Sequence, residues 1–212
     1  VHALLDGRDV GETSALDYID PFEAYLKDLN GSGVDYRIAS GGGRMFITMD
    51  RYNADWSMVE RGWNGHVLGK GRQFASTHVA IETWRKDIPG IIEGAAEGAG
   101  LGIQISSTPT SGRPTGTIED GDSVIYFNFR GDRALEMTAA FETKAGFDKF
   151  DRVRVPAVEY AGMMEYDGDL HIPAQYLVTP PAIDRTMGEY LAATGVRSLA
   201  ISETQKYGHV TY

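Results

Sequence analysis

The feature that most constrains this chain is a short apolar run that breaks into two arginines. Residues 124–129 are mostly apolar and aromatic and are bounded by turn residues, which predicts a buried central strand. Residues 134–141 then show helical spacing, and Asp132 is a candidate N-cap for that helix. Arg130 and Arg133 therefore follow the carboxyl end of a strand and lie beside a helix N-terminus, a place that favours anions. The alternative interpretation is that both arginines only pair with surface carboxylates.

Strands and helices alternate along the rest of the chain, which predicts an α/β fold. The expected architecture is a three-layer α/β/α domain with a mostly parallel or mixed sheet. The strands at 1–5 and 36–39 are expected to lie parallel, and the glycine-rich residues 40–43 between the second strand and Arg44 are expected to form a loop. The remaining predicted strands are 103–105, 158–160, 163–166, 196–202 and the start of one at 210–212, and the predicted helices are 14–30, 55–67, 76–84, 134–141 and 184–193.

Composition narrows the class of protein. A length of 212 residues predicts one large domain, or one domain with an excursion, and 42% apolar residues suffice for a core. The net charge of -10 argues against nucleic acid as the main partner, since phosphate backbones require a basic face. No cysteine is present, so disulfides and thiolate chemistry are excluded. No apolar run of about 18 residues predicts a membrane span, and the start at Val1 without a methionine predicts a fragment.

Charged residues recur in four loops that each follow a predicted strand. In a parallel sheet such loops gather along one edge, so their cations are expected to share one cleft. A cluster of this kind repels itself, and an anionic ligand relieves the repulsion. Arginine suits phosphate and carboxylate because its planar fork donates two parallel hydrogen bonds. The residues in these loops are Arg8 and Asp9, Arg44 and Arg51, Arg130 and Arg133, and Lys206.

Two roles stay open for Asp9 on spacing alone. Surrounded by arginines, it is expected to remain ionised. It then either accepts a hydroxyl proton from the ligand or only orients the arginines. His209, near Lys206, is interpreted as structural, because the five histidines do not fall at metal-ligand spacing with carboxylates. Neither the phosphate-binding Gly-x-x-x-x-Gly-Lys-[Ser/Thr] motif nor the Gly-x-Ser-x-Gly motif occurs.

Several longer motifs resemble one family, the plant-type branch of the cofactor-independent phosphoglycerate mutases. The likeness keeps the order of the motifs and covers nearly the whole chain, and it is weakest over residues 93–116. The motifs are Asp6-Gly7-Arg8-Asp9, Gly41-Gly42-Gly43-Arg44-Met45 with Met49-Asp50-Arg51-Tyr52, Phe127-Asn128-Phe129-Arg130-Gly131-Asp132-Arg133, residues 147–154, Pro181-Ala182-Ile183-Asp184 and residues 203–209.

The resemblance implies a two-domain parent enzyme. Residues 1–212 resemble its inserted substrate-binding domain, and the other domain is a phosphatase-like metal domain. The family implies that 3-phosphoglycerate and 2-phosphoglycerate interconvert in glycolysis and gluconeogenesis through a phosphoserine, without 2,3-bisphosphoglycerate. It implies two manganese or magnesium ions, and places the serine, the metal ligands and a substrate-binding histidine outside this chain. A cytoplasmic monomer is expected.

The resemblance also assigns roles to the charged residues. Arg8, Arg44, Arg51, Arg130 and Arg133 are implied to hold the phosphate and the carboxylate of the substrate. Asp9 is implied to handle the glycerate hydroxyls, and Lys206 to face the phosphoserine, so that Asp9, Arg130 and Lys206 are the residues expected to act in catalysis. The fragment alone is predicted to be inactive. The alternative is a stand-alone, non-catalytic binding module for small phosphorylated acids.

Overall fold

The protein is described by a computed structural model over residues 1–87, 103–105, 113–179, 182–203 and 206. The chain divides into two units, Val1–Thr179 and Pro180–Tyr212. That residues 1–212 together act as one substrate-binding domain stays a prediction.

The first unit contains two sheets and four helices among its described residues. Its elements are β1 (His2–Leu5), α1 (Ala15–Asn30), β2 (Ser40–Gly43), α2 (Trp56–His66), β3 (Arg72–Phe74), α3 (Thr77–Asp87), β4 (Ile103–Ile105), β5 (Ser123–Tyr126), a 3₁₀ turn (Gly131–Arg133), α4 (Leu135–Glu142) and β6 (Glu159–Gly162). The four-stranded sheet has the order β1-β2-β4-β3. Strand β2 is parallel to β1 and antiparallel to β4, while β3 and β4 are parallel. The predicted α/β class and mixed sheet are confirmed.

Two apolar cores hold these elements together. Helices α1 and α3 pack with strands β1 and β3 in the first core, which includes Leu5, Ile19 and Phe74. Helices α2 and α4 build the second core around Trp63, which is fully buried. Burial of each large apolar side chain stabilises the fold by roughly 1.5–3 kcal/mol. Helix α2 also contacts β2, so the loop after β2 runs between the sheet and the second core.

The glycine-rich segment is a strand, and the prediction of a strand at 36–39 followed by a loop is wrong. Strand β2 occupies Ser40–Gly43, and all four residues are buried. It pairs in parallel with β1, with Leu5 opposite Gly43. A Cβ on Gly41 would lie 2.5 Å from the carbonyl oxygen of Ala3. The close approach of the neighbouring backbone therefore requires glycine here, and it outweighs the low strand propensity of that residue.

Residues 124–129 do not form the predicted buried central strand. Only Ser123–Tyr126 forms a strand, β5, and it pairs with β6 in a separate two-stranded parallel sheet. Val124 and Tyr126 pack against the second core. Ile125, Phe127 and Phe129 are 55%, 82% and 77% exposed. The second core covers one face of β5. A continuous apolar run predicts instead that both faces of the strand are buried.

Two helix starts also differ from the prediction. Ala134 is the N-cap residue of α4 and its side chain makes no capping bond, whereas Asp132 lies inside the 3₁₀ turn with its carboxylate on Arg130. Ser14 does not cap α1 through its side chain, because its hydroxyl donates to the carbonyl of Gly11 instead. The carboxylate of Asp132 is thus used in an ion pair, and the hydroxyl of Ser14 in a local turn, so neither oxygen caps a helix.

The second unit contains one helix among its described residues, α5 (Met187–Ala193). Thr186 and Glu189 form its capping box, so Asp184 is not the cap. The predicted strands at 163–166, in the first unit, and 196–202 are not strands. The strand predicted at 210–212 and His209 lie outside the described residues. Among the helices of the described residues, none has the length and apolar character that crossing a membrane requires.

Candidate anion-binding site

The loops after β1 and β2 meet because the two strands are parallel neighbours. Arg44 bridges the two loops: its Nε donates to Asp6 Oδ1 at 2.9 Å, and its Nη2 donates to Asp9 Oδ2 at 2.8 Å. The same Asp6 oxygen accepts the backbone N–H groups of Arg8 and Asp9, at 3.0 and 3.2 Å. Asp6 therefore fixes the turn that carries Arg8 and Asp9, and it fixes the guanidinium of Arg44 as well.

The electrostatics of Asp6 agree with this role. Partial burial by itself would raise the pKa of its carboxyl. The hydrogen bonds from Arg8, Asp9 and Arg44, together with the charge of Arg44, outweigh burial and lower the pKa below its ordinary value. Asp6 is thus held as a carboxylate, which keeps Arg44 in place.

The end of β5 supplies a second group of charges. Arg130 Nε donates to Asp132 Oδ1 at 2.9 Å, and Arg51 Nη1 lies 3.6 Å from Asp132 Oδ2. Arg51 comes from the loop after β2, so Asp132 joins that loop to the 3₁₀ turn before α4. The Asp132 side chain is 19% exposed and that of Arg130 is 46% exposed. The side chain of Arg130 is therefore partly open to solvent while Asp132 holds its Nε.

Arg133 is the buried member of the group. Only 8% of the residue is exposed, and its Nη1 donates to the carbonyl oxygen of Met49 at 2.7 Å. Burial lowers the pKa of Arg133, as do the charges of Arg51, Arg44 and Arg130, while Asp132 acts in the opposite direction. A guanidinium nevertheless stays protonated in proteins. Arg44, Arg51, Arg130 and Arg133 thus act on one another through their charges, and we call them the arginine cluster.

Carboxylates pair with part of the arginine cluster. Arg44 pairs with Asp6 and Asp9, and Arg51 and Arg130 pair with Asp132. Arg133 instead donates to a backbone carbonyl. The alternative predicted from the sequence, that Arg130 and Arg133 only pair with carboxylates, therefore describes Arg130 and not Arg133. Each pairing orients a guanidinium, and the mutual repulsion of the four cations favours an anion.

The loop between β2 and α2 is held in an unusual backbone conformation. Thr48, Tyr52 and Asn53 have φ of 71°, 60° and 55°, in the left-handed region that non-glycine residues rarely adopt. Each such residue costs on the order of 1–3 kcal/mol, so the surroundings must fix it. The backbone N–H of Asn53 donates to Glu136 Oε1 at 2.8 Å, and that of Thr48 donates to the carbonyl of Met58 at 2.8 Å.

A second polar group surrounds Thr48, in the middle of this loop. His66 Nδ1 is 2.7 Å from Ser40 Oγ, and its Nε2 is 3.0 Å from Thr48 Oγ1. His2 Nδ1 is 2.6 Å from the same Ser40 hydroxyl. Burial lowers the pKa of His66 to about 4, so its ring is neutral near pH 7. We call His2, Ser40, Thr48 and His66 the histidine cluster.

The structure joins most of the residues predicted for the site. Asp9 lies on Arg44, and the charges of Arg44, Arg51 and Arg130 act on Arg133. The side chain of Arg8 is exposed and makes no ion pair with any described residue. Lys206 belongs to the second unit, where it is exposed and its N–H donates to the carbonyl of Glu203 at 3.0 Å. That Lys206 shares the cleft stays a prediction.

Sequence reasoning missed the residues that hold the arginines. Asp6 is not among the predicted site residues, although Asp-Gly followed by two further polar residues is typical of a side chain that bonds its own loop. Asp132 was assigned to a helix cap, although it stands between two arginines. Glu136 was not considered, and its signal was a carboxylate within the apolar residues 134–141.

The arginine cluster does not fit a metal ion. Its donors are guanidinium groups, which have no lone pair to offer. Over the described residues, no group of three His, Cys, Asp or Glu side chains is placed to hold a metal. The chemistry available to this site is therefore the binding and orientation of an anion.

Comparison with known proteins gives the same answer for the family. Residues 1–168 match the family described as BPG-independent PGAM N-terminus (iPGM_N). The whole chain is 60% identical over 212 residues to a probable 2,3-bisphosphoglycerate-independent phosphoglycerate mutase of Leptospira interrogans, and spans 37% of that protein. It is 54% identical over 216 residues to the 2,3-bisphosphoglycerate-independent phosphoglycerate mutase of Trypanosoma brucei brucei, and again spans 37% of it.

A solved structure extends the likeness to three dimensions. The chain is similar to a crystal structure of Leishmania mexicana phosphoglycerate mutase at low cobalt concentration, with a TM-score of 0.85 and 53% identity. The match covers 100% of this chain and 37% of that one. The motifs around the arginine cluster, the shared fold and the identity over the full chain lead to one conclusion: the chain belongs to the 2,3-bisphosphoglycerate-independent phosphoglycerate mutase family.

Proposed function

We propose that this chain supplies the substrate-binding part of an enzyme that interconverts 3-phosphoglycerate and 2-phosphoglycerate. The observation that carries the proposal is the buried Arg133, fixed on the Met49 carbonyl and lying within the field of three further arginines. A buried cation next to other cations is costly unless an anion accompanies it. The arginine cluster is therefore suited to a small ligand with several negative charges.

The two phosphoglycerates fit this description. Each carries a phosphate and a carboxylate, together about three negative charges near pH 7, which suit four guanidinium groups that repel one another. The arginines come from two separate segments, the loop after β2 and the turn after β5. They can therefore approach a ligand from more than one side, so phosphate and carboxylate can be bound at once. Arg133 loses little side-chain freedom on binding because it is already fixed.

The position of Asp9 supports both roles that the sequence left open. Asp9 Oδ2 accepts a hydrogen bond from Arg44 Nη2, so the carboxylate orients that arginine. The Asp9 side chain is 70% exposed, and its second oxygen is available to a glycerate hydroxyl. A carboxylate held in this way can orient the hydroxyl or accept its proton during phosphoryl transfer. Arg130, the exposed arginine of the cluster, is proposed to contact the transferred phosphoryl group.

The rest of the reaction is proposed to take place on residues outside this chain. The family likeness supports a phosphoserine intermediate, with two manganese or magnesium ions on a phosphatase-like domain, and Lys206 facing the phosphoserine. The ions would supply Lewis-acid chemistry at the serine. Independence from 2,3-bisphosphoglycerate follows from the name of the family. We further propose that the complete protein is a cytoplasmic monomer that acts in glycolysis and gluconeogenesis.

Two measurements test the proposal. The purified chain, titrated with 3-phosphoglycerate at low salt and followed by NMR, should bind with a dissociation constant on the order of 0.1–10 mM. Shifts should concentrate at Arg44, Arg51, Arg130 and Arg133. A coupled assay with added manganese should detect no mutase activity in the chain alone, because arginines cannot replace a nucleophile and metals.

Each measurement has an outcome that contradicts the proposal. Turnover that co-purifies with the chain and disappears in Arg130→Ala would show that the catalytic parts are not elsewhere. Absence of shifts at the arginine cluster would show that it is not the phosphoglycerate site. Binding by a protein whose complete gene encodes no serine nucleophile or metal ligands would instead support the stand-alone binding module.

A further inference from the structure

The 3₁₀ turn and the first turn of α4 contact the loop on both sides of Arg51. Arg133 donates to the carbonyl of Met49, two residues before Arg51, at 2.7 Å. Glu136 accepts the N–H of Asn53, two residues after Arg51, at 2.8 Å. Residues three apart on a helical segment lie on the same face, so both contacts reach the same loop. Arg51 is therefore placed by a pair of side chains, only one of which belongs to the arginine cluster.

Glu136 is an unusual residue for this position because it is buried beside other carboxyl groups. It is 6% exposed, and its Oε2 has no hydrogen-bond partner among the described residues. Asp50, 5% exposed, lies within hydrogen-bonding reach of it, and its own Oδ2 accepts the N–H of Asp55 at 2.7 Å. Two adjacent carboxylates cannot both be ionised without strong repulsion, and a shared proton removes it.

Most of the surroundings of Glu136 raise the pKa of its carboxyl. Burial raises the pKa of Glu136 most, the charges of Asp50 and Asp55 raise it further, and the N–H of Asn53 opposes them, with a result of about 7. On its own helical segment the nearest cation is Arg133, which is directed to the Met49 carbonyl. The carboxyl thus changes its charge near neutral pH.

We propose that Glu136 is a positioning residue for the anion site: its protonated carboxyl accepts from Asn53 and donates to Asp50, and thereby holds Arg51 in place. This inference rests on the proposed function. With the proton present, both oxygens of Glu136 are satisfied and the left-handed backbone at Tyr52 and Asn53 is fixed from outside. When the proton leaves, two buried carboxylates repel, the loop relaxes and Arg51 moves away from the ligand. Anion affinity should therefore fall as the pH rises through neutrality.

The test compares Glu136→Gln with the unaltered chain. Glutamine keeps an acceptor for Asn53 and a donor for Asp50 at every pH. From pH 6 to pH 8.5 the affinity of the unaltered chain for 3-phosphoglycerate should fall about tenfold relative to that of Glu136→Gln. Titration of the ligand itself cancels in this ratio. The amide NMR signal of Asn53 should titrate near neutrality in the unaltered chain and not in the variant.

Two further variants separate positioning from a merely structural role. Glu136→Ala should bind about tenfold more weakly already at pH 6, and Glu136→Gln should restore that affinity. Glu60→Gln is the matched control: Glu60 lies on α2, is half-buried, and its side chain makes no hydrogen bond with any described residue, so the pH profile of this variant should follow that of the unaltered chain.

The outcomes distinguish the inference from the function on which it rests. Binding of 3-phosphoglycerate with parallel pH profiles for the unaltered chain and Glu136→Gln would overturn the inference alone. An Asn53 signal that does not titrate would do the same. Absence of binding at every pH would overturn the proposed function, and the inference with it.

Discussion

The two polar clusters that meet at the loop after β2 are built on opposite principles. In the histidine cluster the groups are neutral, and both ring nitrogens of His66 have a hydroxyl partner. In the arginine cluster the groups are cations, and the charges of Arg44, Arg51 and Arg130 act on the buried Arg133. Buried neutral groups that are fully paired serve the fold, whereas neighbouring cations are costly until an anion accompanies them. The contrast indicates that the first cluster anchors the loop and the second is prepared for a ligand.

The clusters also respond to pH with opposite signs. The pKa of His66 is lowered to about 4, so its contribution to stability is lost as the pH falls. The pKa of Glu136, next to the arginine cluster, is raised to about 7, so its contribution is lost as the pH rises. The contribution of His66 is lost as the pH falls from 6.5 to about 4, and that of Glu136 is lost as the pH rises from 4.5 to about 7, so over this range the two changes oppose each other.

The largest expected effect is the dependence of stability on pH that His66 of the histidine cluster causes. Between pH 6.5 and 4 the unfolded chain binds a proton on His66 that the folded chain excludes, so the contribution of His66 to stability should decline over that range. The contribution of this one residue, from an ordinary pKa of 6.5 to about 4, is on the order of 3 kcal/mol. Urea unfolding of the unaltered chain and of His66→Gln at pH 7 and pH 4.5 measures it, because the opposing change from Glu136 is common to both proteins and cancels in the comparison. The same change with pH in both proteins would mean that the fold does not lower the pKa of the histidine ring.

The next effect tests the contact between α2 and Thr48 of the histidine cluster. A Cβ on Gly62 would lie 2.3 Å from Thr48 Oγ1 and 3.0 Å from Thr48 Cα. The loop can therefore pack this closely against α2 only because Gly62 has no side chain. Gly62→Ala should therefore destabilise the fold by about 2 kcal/mol, although alanine is the better helix former. Calorimetric or urea unfolding provides the measurement. Gly168→Ala is the control, because nothing lies within 4 Å of a Cβ there. Equal stability of the two variants would show that the loop is not fixed by this contact.

These glycines also show where sequence reasoning reached its limit. Periodicity predicted helices α1 and α2 because each buries a regular apolar face. It placed a strand at 36–39 and a loop at 40–43, because propensity counts the side chain of a residue and not the backbone that approaches it. Propensity likewise counts Gly62 as a weak point of α2, yet Thr48 of the loop packs there.

The site was predictable in its cations and not in their arrangement. Arg44, Arg51, Arg130 and Arg133 were found because each follows a predicted strand, and the parallel pairing of β1 and β2 was correct. Strand β5 was assigned to the same sheet, whereas it belongs to a second sheet. The carboxylates that orient the arginines were missed, because an aspartate beside arginines in the sequence is as typical of a turn or a helix cap as it is of an ion pair. Which of these uses applies depends on tertiary contacts.

A smaller effect tests whether the charged cluster serves the ligand. Arg133→Ala should weaken binding of 3-phosphoglycerate tenfold or more, about 1.4 kcal/mol or greater, because a charge-assisted contact and the bond to Met49 are both lost. The acid decline assigned to His66 should not change. Arg72→Ala is the control: Arg72 lies on β3 and pairs with Asp87, so its loss should leave the affinity unchanged. Equal affinities for the two variants would remove Arg133 from the site.

The smallest effect distinguishes the buried from the exposed members of the arginine cluster. Arg130 is 46% exposed, so solvent screens its charge, and Asp132 is the one described residue that pairs with its guanidinium. Arg130→Lys keeps the charge and loses the fork, and binding should weaken only about threefold. Arg130→Ala should be little worse, because the missing fork accounts for most of the loss, and the difference should shrink further as salt is added. Titrations at two salt concentrations measure both. If lysine instead restored full affinity, Arg130 would act as a point charge, and the geometric recognition proposed for the cluster would reside in its buried members alone.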